Sequence, residues 1–445
     1  MTYIPHTVTE REQMLAAVGV KTLDDLFAHL PAEVKAPALK QAPGIGEMEL
    51  SAEMARRARR NHSAAELSCF LGAGAYDHFI PPVVDQLILR GELFTAYTPY
   101  QPEISQGVLQ IIYEFQTMVA SLTGCDVSNA SLYDGATALV EGCQMAMRHT
   151  GRTHLVVDGA VHPHYLQTMN ALLRVQGASL EVISPKAGEY RSDMKSLATA
   201  INDNVAGVIV GYPNFYGSVE DITALGAAAH KSGALMVSAS NPFAFGLLEP
   251  AGNLGADIVC GEAQSIGVPL QFGGPYLGFI TCKNETVRRM PGRLVGQTLD
   301  VKGQRAFTLT LQAREQHIRR EKATSNICTN TALCAMMAHF YMGCLGRTGL
   351  KRAGELSVAK ADLLRQKLKK VRTVSVPDYT VFNEFVVETQ KPAAAVLESM
   401  LAVGILGGLD LGTYDKSRAN QILVAVTEKR SEDEIDRYVS AIASA

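Results

Sequence analysis

Between residues 154 and 282, short apolar runs rich in β-branched residues alternate with polar or helical stretches of crossover length. This alternation is typical of a parallel β-sheet, because parallel neighbours need a connection that carries the chain back across the sheet. Runs that are apolar throughout predict an α/β fold with helices on both faces of a mostly parallel sheet. Ligands bind such sheets at the carboxyl ends of the strands. The predicted strands are 154–158, 180–184, 206–212, 234–239, 257–260 and 277–282.

The sequence pattern changes twice along the 445 residues. The N-terminal part shows helical spacing and no strand pattern, whereas the C-terminal part combines a long helical region with two strands and a final helix. Ser431 and Glu434 predict a capping box for that last helix. We therefore expect a chain of three parts. They are a helical arm at 1–65, a large α/β domain at 66–325 and a small α/β domain at 326–445.

Composition excludes several classes of protein. Apolar residues make up 47% of the chain, charged residues 19%, and the formal net charge is −3. Without a long basic run, no nucleic-acid partner is expected. The N-terminus lacks a secretory signal and the most apolar stretch, 332–346, is too short to cross a membrane, so we predict a cytoplasmic protein without a membrane partner. The eight cysteines show neither a C-x-x-C pair nor zinc spacing, so no metal site is predicted.

Two segments have the residue types of a cofactor site. Gly135, Ala136 and Thr137 open a predicted helix, where small residues let backbone N–H groups approach an anion and the helix dipole favours negative charge. Ordinary close packing also explains such a helix start. His162 and His164 follow a predicted strand at the carboxyl edge of the sheet. Either ring is a candidate to stack on a cofactor, and fixing a helix start through a hydrogen bond is the alternative.

A third candidate is the loop at 97–107, Tyr-Thr-Pro-Tyr-Gln-Pro-Glu-Ile-Ser-Gln-Gly. Its prolines stiffen the backbone, which suits the presentation of polar side chains to a site. A buried loop that satisfies its own hydrogen bonds is the alternative. Glu103 is the residue hardest to explain by packing, because a carboxylate seldom buries without a partner or a task. The candidate residues of this loop are Tyr97, Thr98, Tyr100, Gln101, Glu103 and Ser105.

The segment 263–275, Ala-Gln-Ser-Ile-Gly-Val-Pro-Leu-Gln-Phe-Gly-Gly-Pro, resembles the lysine loop of pyridoxal-phosphate enzymes. No lysine occurs between Lys231 and Lys283, and a Schiff base needs a primary amine. Such enzymes normally close a strand with an aspartate that keeps the pyridinium nitrogen charged, and Ser238 stands at the corresponding position. A neutral hydroxyl cannot stabilise that charge comparably. No cofactor bound covalently to this chain is therefore expected.

Four stretches in combination indicate a family. They are 71–74, 97–107, 129–138 and 319–330. They resemble the glycine dehydrogenase (decarboxylating) family, the P-protein of the glycine cleavage system, and the resemblance covers almost the whole chain. The length matches the first of the two subunits into which many bacteria split this protein. The resemblance implies the fold-type I pyridoxal-phosphate architecture.

By the spacing of Pro269 and Pro275, the lysine of the sister subunit's pattern falls on Gln264 in this chain. The resemblance thus implies that pyridoxal phosphate is held by a homologous second subunit, in a heterodimer or an α2β2 assembly. It also implies that the loop at 97–105 reaches the partner's site. In this chain a degenerate cofactor pocket is expected, formed by Gly135, Ala136, Thr137, His162, Ser238 and Gln264.

The implied reaction is the oxidative decarboxylation of glycine, with transfer of the aminomethyl group to the lipoyl arm of the carrier H-protein, whose disulfide accepts the electrons. Two alternatives stay open. A self-sufficient pyridoxal-phosphate enzyme, of the decarboxylase or desulfurase kind, would need a distant lysine such as Lys302. A non-catalytic regulatory paralogue would have no evident need for the stiff polar loop at 97–105.

Overall fold

Two compact units divide the chain, Met1–His62 and Ser63–Ala445. The structure, a computed structural model, describes residues 6–35, 41–323 and 325–445. Of the predicted arm, residues 1–5 and 36–40 lie outside the described residues. The predicted boundary between a large and a small domain, near residue 326, stays a prediction.

In the first unit the described residues form two α-helices, α1 (Val8–Val18) and α2 (Glu47–Ala58). A capping box begins α1: the Thr7 hydroxyl accepts the N–H of Glu10, and the Glu10 carboxylate accepts the N–H of Thr7. Neither helix contains a buried residue. Large apolar side chains on both helices are therefore exposed, among them Val8, Met14, Val18, Met48 and Met54.

The other helices belong to the second unit. They are α3 (Pro82–Ile88), α4 (Gly91–Phe94), α5 (Gln106–Thr123), α6 (Gly135–Thr150), α7 (Pro163–Leu173), α8 (Met194–Ala200), α9 (Thr223–Lys231), α10 (Gln316–Arg319), α11 (Ala332–Leu368), α12 (Ala393–Leu401) and α13 (Glu432–Ser444). The predicted capping box of Ser431 and Glu434 begins α13 and is confirmed. The longest helix, α11, is interrupted at Gly346, where φ is 59° and ψ is −177°. In the described part of the chain, no helix is long and apolar enough to cross a membrane.

The strands lie in the second unit as well. They are β1 (Ser68–Cys69), β2 (Val127–Ser128), β3 (His154–Asp158), β4 (Ser179–Ile183), β5 (Val205–Tyr212), β6 (Leu235–Ser240), β7 (Ile258–Glu262), β8 (Gly278–Cys282), β9 (Leu294–Leu299), β10 (Arg305–Thr310), β11 (Val374–Ser375), β12 (Glu384–Thr389), β13 (Ile405–Leu406), β14 (Leu409–Asp410) and β15 (Gln421–Ala425). Seven strands form the large sheet in the order β2-β8-β7-β6-β5-β3-β4. Each predicted strand of this sheet is present, with bounds shifted by at most two residues.

The prediction of a parallel sheet is correct for β3 to β7 and wrong for β8. β8 pairs antiparallel with both β7 and β2. The connection from β7 to β8, residues 263–277, contains no α-helix that could carry the chain back across the sheet. The chain therefore turns and runs back beside β7, and the loop that resembles a lysine loop is this turn.

Both faces of the large sheet are buried. On β5, Val208 and Val210 join an apolar cluster that includes residues of α5, α9 and α11, whereas Ile209 joins the cluster that includes α6 and α7. This division follows from the pleat, which directs successive side chains to opposite faces. Every residue of β5 is buried, as its continuous apolar run predicts.

A second sheet of four antiparallel strands, in the order β11-β12-β15-β14, lies towards the C-terminus. Its core joins Phe385 of β12 and Val424 of β15 with Leu364 of α11, Met400 of α12 and Tyr438 of α13. Two smaller pairings complete the unit: β1 with β13 in parallel, and β9 with β10 as an antiparallel pair.

Candidate functional site

The start of α6 requires a very close approach of backbone and side chain. An added Cβ on Gly135, its first residue, would lie 2.0 Å from Tyr165 Oη and 2.7 Å from the backbone nitrogen of Glu262. The position therefore needs glycine. At the same end, Asp134 Oδ1 accepts the N–H of Thr137 at 2.8 Å. A carboxylate of this chain thus caps the helix start that the sequence predicts as an anion site.

A second carboxylate occupies the same helix start. Glu262, the last residue of β7, accepts the N–H of Gly135 on Oε2 at 3.0 Å. Its Oε1 accepts the N–H groups of Gln264 and Leu277 at 2.9 and 2.8 Å. Burial raises the pKa of Glu262 to about 7, and the nearby Asp134 charge acts in the same direction. Two of the backbone N–H groups that would bind a ligand anion are therefore engaged by carboxylates of the protein itself.

His162 begins α7. Its Nδ1 accepts the N–H of His164 at 3.1 Å and its Nε2 donates to the carbonyl of Ala73 at 2.9 Å. Burial lowers the pKa of His162 to about 4, so the ring is neutral near pH 7. The Tyr165 ring stacks on it with centroids 5.0 Å apart and planes inclined by 27°. These hydrogen bonds match the second of the two roles considered for His162, in which the ring fixes the start of a helix. The other candidate, His164, is exposed and lies beside Tyr414.

Two cavities meet at His162. The larger, which we call the α6 cavity, has a volume of about 670 Å³ and is lined among others by Gly135, Ala136, Thr137, His162, Tyr165, Glu262 and residues 71–75 and 270–273. The smaller, the His162 cavity, measures about 70 Å³ and is lined among others by Tyr76, His162, Asn214, Ser240, Asn241, Glu262 and Glu384. The structure thus brings four predicted pocket residues together, those at 135, 136, 137 and 162.

The other two predicted pocket residues are not among the described residues that line these cavities. Ser238 is fully buried inside β6, with its Oγ 2.9 Å from the Oγ of Ser240. Gln264 is 2% exposed. Its Oε1 accepts the N–H of Tyr76 at 2.8 Å, and its Nε2 donates to the carbonyls of Tyr76 and Val268 at 3.1 and 2.7 Å. The Gln264 amide is a bridge between two loops.

The polar loop at 97–105 is held by hydrogen bonds at its C-terminal end, and most of its candidate residues are exposed to solvent. Gln106 Nε2 donates to the carbonyls of Pro102 and Phe307 at 2.7 and 2.8 Å, and Gln106 Oε1 accepts the N–H of Phe307 at 2.9 Å. The alternative of a buried loop is not observed. The carboxylate of Glu103, which burial would have made costly, is exposed. The loop has Tyr97, Tyr100, Gln101 and Glu103 exposed, and Thr98 and Ser105 half-buried.

The sequence did not reveal several residues that shape the cavities. Glu262 carried a usable signal, because a glutamate at the end of a buried strand and directly before the loop at 263–275 is unusual. No local sequence pattern marks Glu384 as a residue of the cavity. Its Oε2 accepts from Tyr76 Oη at 2.9 Å and its Oε1 accepts the Ala73 N–H at 2.6 Å. These partners lie more than 300 residues away in the chain, beyond the reach of any local pattern.

Replacing Glu384 by glutamine is expected to stabilise the chain at pH 8 and to change little at pH 5. Glu384 is 4% exposed, and burial raises its pKa from 4.5 to about 7. Because the folded pKa is the higher one, the stability that Glu384 contributes is complete below pH 4.5 and is lost as the pH rises through 7. At about 1.4 kcal/mol for each pH unit, the loss over this window is about 3 kcal/mol.

Glutamine can keep a hydrogen bond to both partners, because its oxygen can accept from Ala73 and its amide can donate to Tyr76 Oη, which reverses the direction of the second bond. Thermal unfolding of the wild type and E384Q at both pH values tests the expectation. The exposed Glu398 on α12 gives the matched control E398Q, for which no pH-dependent difference is expected. An equal shift of E384Q at pH 5 and pH 8 would contradict the assignment.

Comparison with solved structures shows the class of protein. The chain matches a glutamate decarboxylase from Lactobacillus brevis with a TM-score of 0.66 at 13% identity, over 92% of this chain and 95% of that one. A crystal structure of glycine decarboxylase (P-protein) of the glycine cleavage system, in inhibitor-bound form, matches with a TM-score of 0.91 and 42% identity over 100% of both chains. The fold is that of the fold-type I pyridoxal-phosphate enzymes, as predicted.

The family model for the glycine cleavage system P-protein matches residues 1–442. A relative from Listeria monocytogenes serotype 4b, named probable glycine dehydrogenase (decarboxylating) subunit 1, is 46% identical over 444 residues, which cover 100% of this chain and 99% of the relative. One of the same name from Desulforamulus reducens is 47% identical over 438 residues, 98% of each chain. The chain belongs to the glycine cleavage system P-protein family, and the resemblance stated from the sequence is confirmed.

The residues of this chain do not fit the cofactor that its fold class implies. A cofactor phosphate at the start of α6 would meet the negative charge of Asp134 and would compete with the Glu262 carboxyl group for the N–H of Gly135. The Tyr165 hydroxyl fills the space beside that helix start. Gln264 offers an amide where a Schiff base needs an amine. Among the described residues no lysine lines either cavity, and Lys302 is exposed in the turn between β9 and β10.

Proposed function

We propose that this chain is subunit 1 of a two-subunit glycine dehydrogenase (decarboxylating), in which a homologous second subunit holds the pyridoxal phosphate. Relatives named subunit 1 match the chain from end to end, and that name implies a second subunit. Two homologous chains form a pseudo-symmetric pair, which we propose doubles to α2β2 in the cytoplasm.

The observation that carries the proposal is the occupied start of α6. Glu262 binds the first N–H of the helix, and Asp134 binds that of Thr137. The Gln264 side chain uses its oxygen and its nitrogen to join two loops. The chain therefore keeps the fold of the enzyme class and engages the N–H groups of Gly135 and Thr137 with its own carboxyl groups, which supports a cofactor on the other subunit.

The loop at 97–105 is what this chain supplies to that site. It exposes Tyr97, of which 86% is accessible, and Tyr100, of which 52% is accessible. Gln106 holds the C-terminal end of the loop against β10. Fewer loop residues therefore lose conformational freedom when the loop binds a partner. We propose that these residues form one wall of the second subunit's site.

The first unit supports a partner chain independently. Val8, Val18 and Met48 are 70%, 67% and 77% exposed on helices without a buried residue. Apolar side chains that a unit does not bury within itself are available for contact with another compact unit or another protein. We propose that the second subunit covers these two helices.

The assembled enzyme, in this proposal, decarboxylates glycine and passes the aminomethyl group to the lipoyl arm of the carrier H-protein. Pyridoxal phosphate, when bound in the complex, supplies the electron sink that decarboxylation needs. This chain contributes hydrogen-bond donors and acceptors from the loop at 97–105. Such groups orient the substrate and exclude water from the site.

Reconstitution tests the proposal. The chain is purified alone and together with the second subunit, and cofactor absorbance and glycine-dependent release of carbon dioxide are measured. We expect neither signal from the chain alone and both from the mixture. A cofactor band from the chain alone would favour the self-sufficient enzyme, and an active second subunit that gains nothing from this chain would favour the regulatory paralogue.

Replacing Glu103 or Tyr100 by alanine should lower turnover of the assembled enzyme by about tenfold or more, as the loss of one charged or oriented hydrogen bond of about 1.5–3 kcal/mol predicts. The exposed Glu398 on α12 provides the matched control E398A, which should retain full turnover. Size-exclusion chromatography verifies that each variant still assembles. Full turnover of E103A and Y100A in intact complexes would show that the loop does not reach the site.

A further inference from the structure

Arg293 is a buried cation for which the described part of the chain offers no carboxylate. It is 4% exposed, and its charged nitrogens contact only neutral groups there. Arg430, buried to the same degree, pairs with Asp77 at 2.9 Å and with Glu434 at 2.8 Å. A buried charge without a counter-ion is strongly unfavourable. The contrast between the two arginines indicates that the anion for Arg293 comes from outside this chain.

The contacts of Arg293 lie at the base of the polar loop. Its Nη2 donates to Tyr100 Oη at 3.1 Å and its Nη1 donates to Asn330 Oδ1 at 3.2 Å. The guanidinium carbon lies 5.3 Å from the centroid of the Tyr100 ring. Its buried Nε has no hydrogen-bond partner in the described chain. The guanidinium therefore holds the phenol in place while its charge stays uncompensated.

The backbone beside this arginine is strained. Ser131 has a φ of 137°, which residues with a Cβ rarely adopt. Asn330 holds it there, because its Nδ2 donates to the Ala130 carbonyl at 3.2 Å and to Ser131 Oγ at 2.9 Å. Strain of this kind persists where the surroundings impose it and is concentrated at ligand sites. The strained serine is an observation independent of the missing counter-ion, and both centre on Asn330.

Tyr100 connects this cluster to the surface. Its side chain is 52% exposed, and its oxygen accepts from Arg293. A phenol that accepts one hydrogen bond still has its own O–H to donate. Among the described residues no acceptor receives that proton. The O–H is thus free to donate to a group from outside the described chain, beside a buried positive charge.

We propose that Tyr100 donates a hydrogen bond to an anionic oxygen in the site shared with the second subunit, and that Arg293 positions the phenol and balances the charge. The inference rests on the proposed function, because the loop at 97–105 must face that site. A guanidinium and a phenol O–H together select an oxyanion. Two sources present one: the carboxylate of glycine and the phosphate of the cofactor on the second subunit.

The test uses the assembled complex with Y100F, R293K and R293M. Y100F removes one oxygen and keeps the ring, while R293K keeps the charge without the guanidinium fork. Two constants are measured: the Kd of pyridoxal phosphate from cofactor absorbance, and the KM for glycine separately from kcat. The controls are Y113F, on α5 beside Phe307, and R305M, whose guanidinium carbon lies 5.5 Å from the Phe307 ring centroid. Both controls should match the wild type.

If the oxyanion is the substrate carboxylate, Y100F should raise the KM for glycine about tenfold and leave the Kd of the cofactor within twofold. If it is the phosphate, the Kd should rise about tenfold and the KM at saturating cofactor should stay within twofold. R293M should raise the affected constant, KM or Kd, by a larger factor than Y100F does. R293K should raise it by less than R293M. Because Y100F is a minimal change, the test holds even where R293M does not fold.

Carbon dioxide release by the wild-type complex supports the proposed function by itself. If the wild-type complex is active but Y100F and R293K both keep KM and Kd within twofold of the wild type, the oxyanion role is overturned and the proposed function stands. A wild-type mixture in which this chain is not needed for activity overturns the proposed function and the oxyanion role together. The two failures are therefore distinguishable.

Discussion

Gln264→Lys is expected to destabilise the chain by about 2–4 kcal/mol without creating a Schiff base. Gln264 is 2% exposed, and its Oε1 accepts the N–H of Tyr76 at 2.8 Å. A lysine side chain has no acceptor, so it would leave that N–H unpaired and place a cation in a buried position. Glu262 would still occupy the first N–H of α6, so the phosphate of the cofactor has no site to bind.

The measurement pairs thermal unfolding with a trapping experiment, in which the variant is incubated with pyridoxal phosphate, reduced with borohydride and analysed by peptide mass. Q264M has similar length and no charge, so it separates the lost hydrogen bonds from the buried cation. Q271K places a lysine at an exposed position of the same loop and should leave stability unchanged. A reduced adduct at position 264 would refute the view that the carboxyl groups at the start of α6 keep the cofactor out of this chain.

Asp77→Ala is expected to lower the free energy of unfolding by about 3–5 kcal/mol, the usual effect of breaking a buried ion pair from one side. Asp77 is 8% exposed, and its two oxygens bind Lys429 at 2.6 Å and Arg430 at 2.9 Å. Arg430 is 3% exposed and would keep only Glu434, at 2.8 Å. The substitution thus leaves a buried guanidinium with half of its counter-charge.

This ion pair joins the loop beside both cavities to the segment after β15, so the expected loss is a loss of tertiary structure. Urea unfolding measures it. The matched control is D436A, because Asp436 pairs with Lys367 at the surface and is 59% exposed. Exposed pairs contribute about 0–1 kcal/mol, so D436A should unfold close to the wild type. Equal losses for D77A and D436A would show that burial of Arg430 is not the reason.

The strands of the large sheet could be predicted because their signal is local. A continuous apolar run such as that of β5 is buried on both faces wherever it lies in a sheet. The direction of β8 could not be predicted in this way. Direction depends on the path of residues 263–277, and an apolar run of five residues reads the same in a parallel and an antiparallel pair.

The candidate site was predictable in part for the same reason. Gly135 and His162 stand directly at the starts of helices that follow predicted loops or strands, so the topology places them at one edge of the sheet. Ser238 also belongs to a predicted strand, yet its side chain contacts Ser240 inside the sheet and lines neither cavity. Ser240 lies two residues further along the same face and does line the smaller cavity, so the distance of a residue from the carboxyl end of its strand decides whether it meets the cavity.

The α/β class, the family and the lack of an amine between Lys231 and Lys283 follow from the amino-acid sequence. These properties are local or carried by short motifs. The folded chain was needed to see that Glu262 binds the N–H of Gly135, 127 residues away, and that Arg293 lies against Tyr100 with no carboxylate from the described residues. Two groups interact electrostatically or through a hydrogen bond only when they are close in space. Their separation along the chain does not show whether they are.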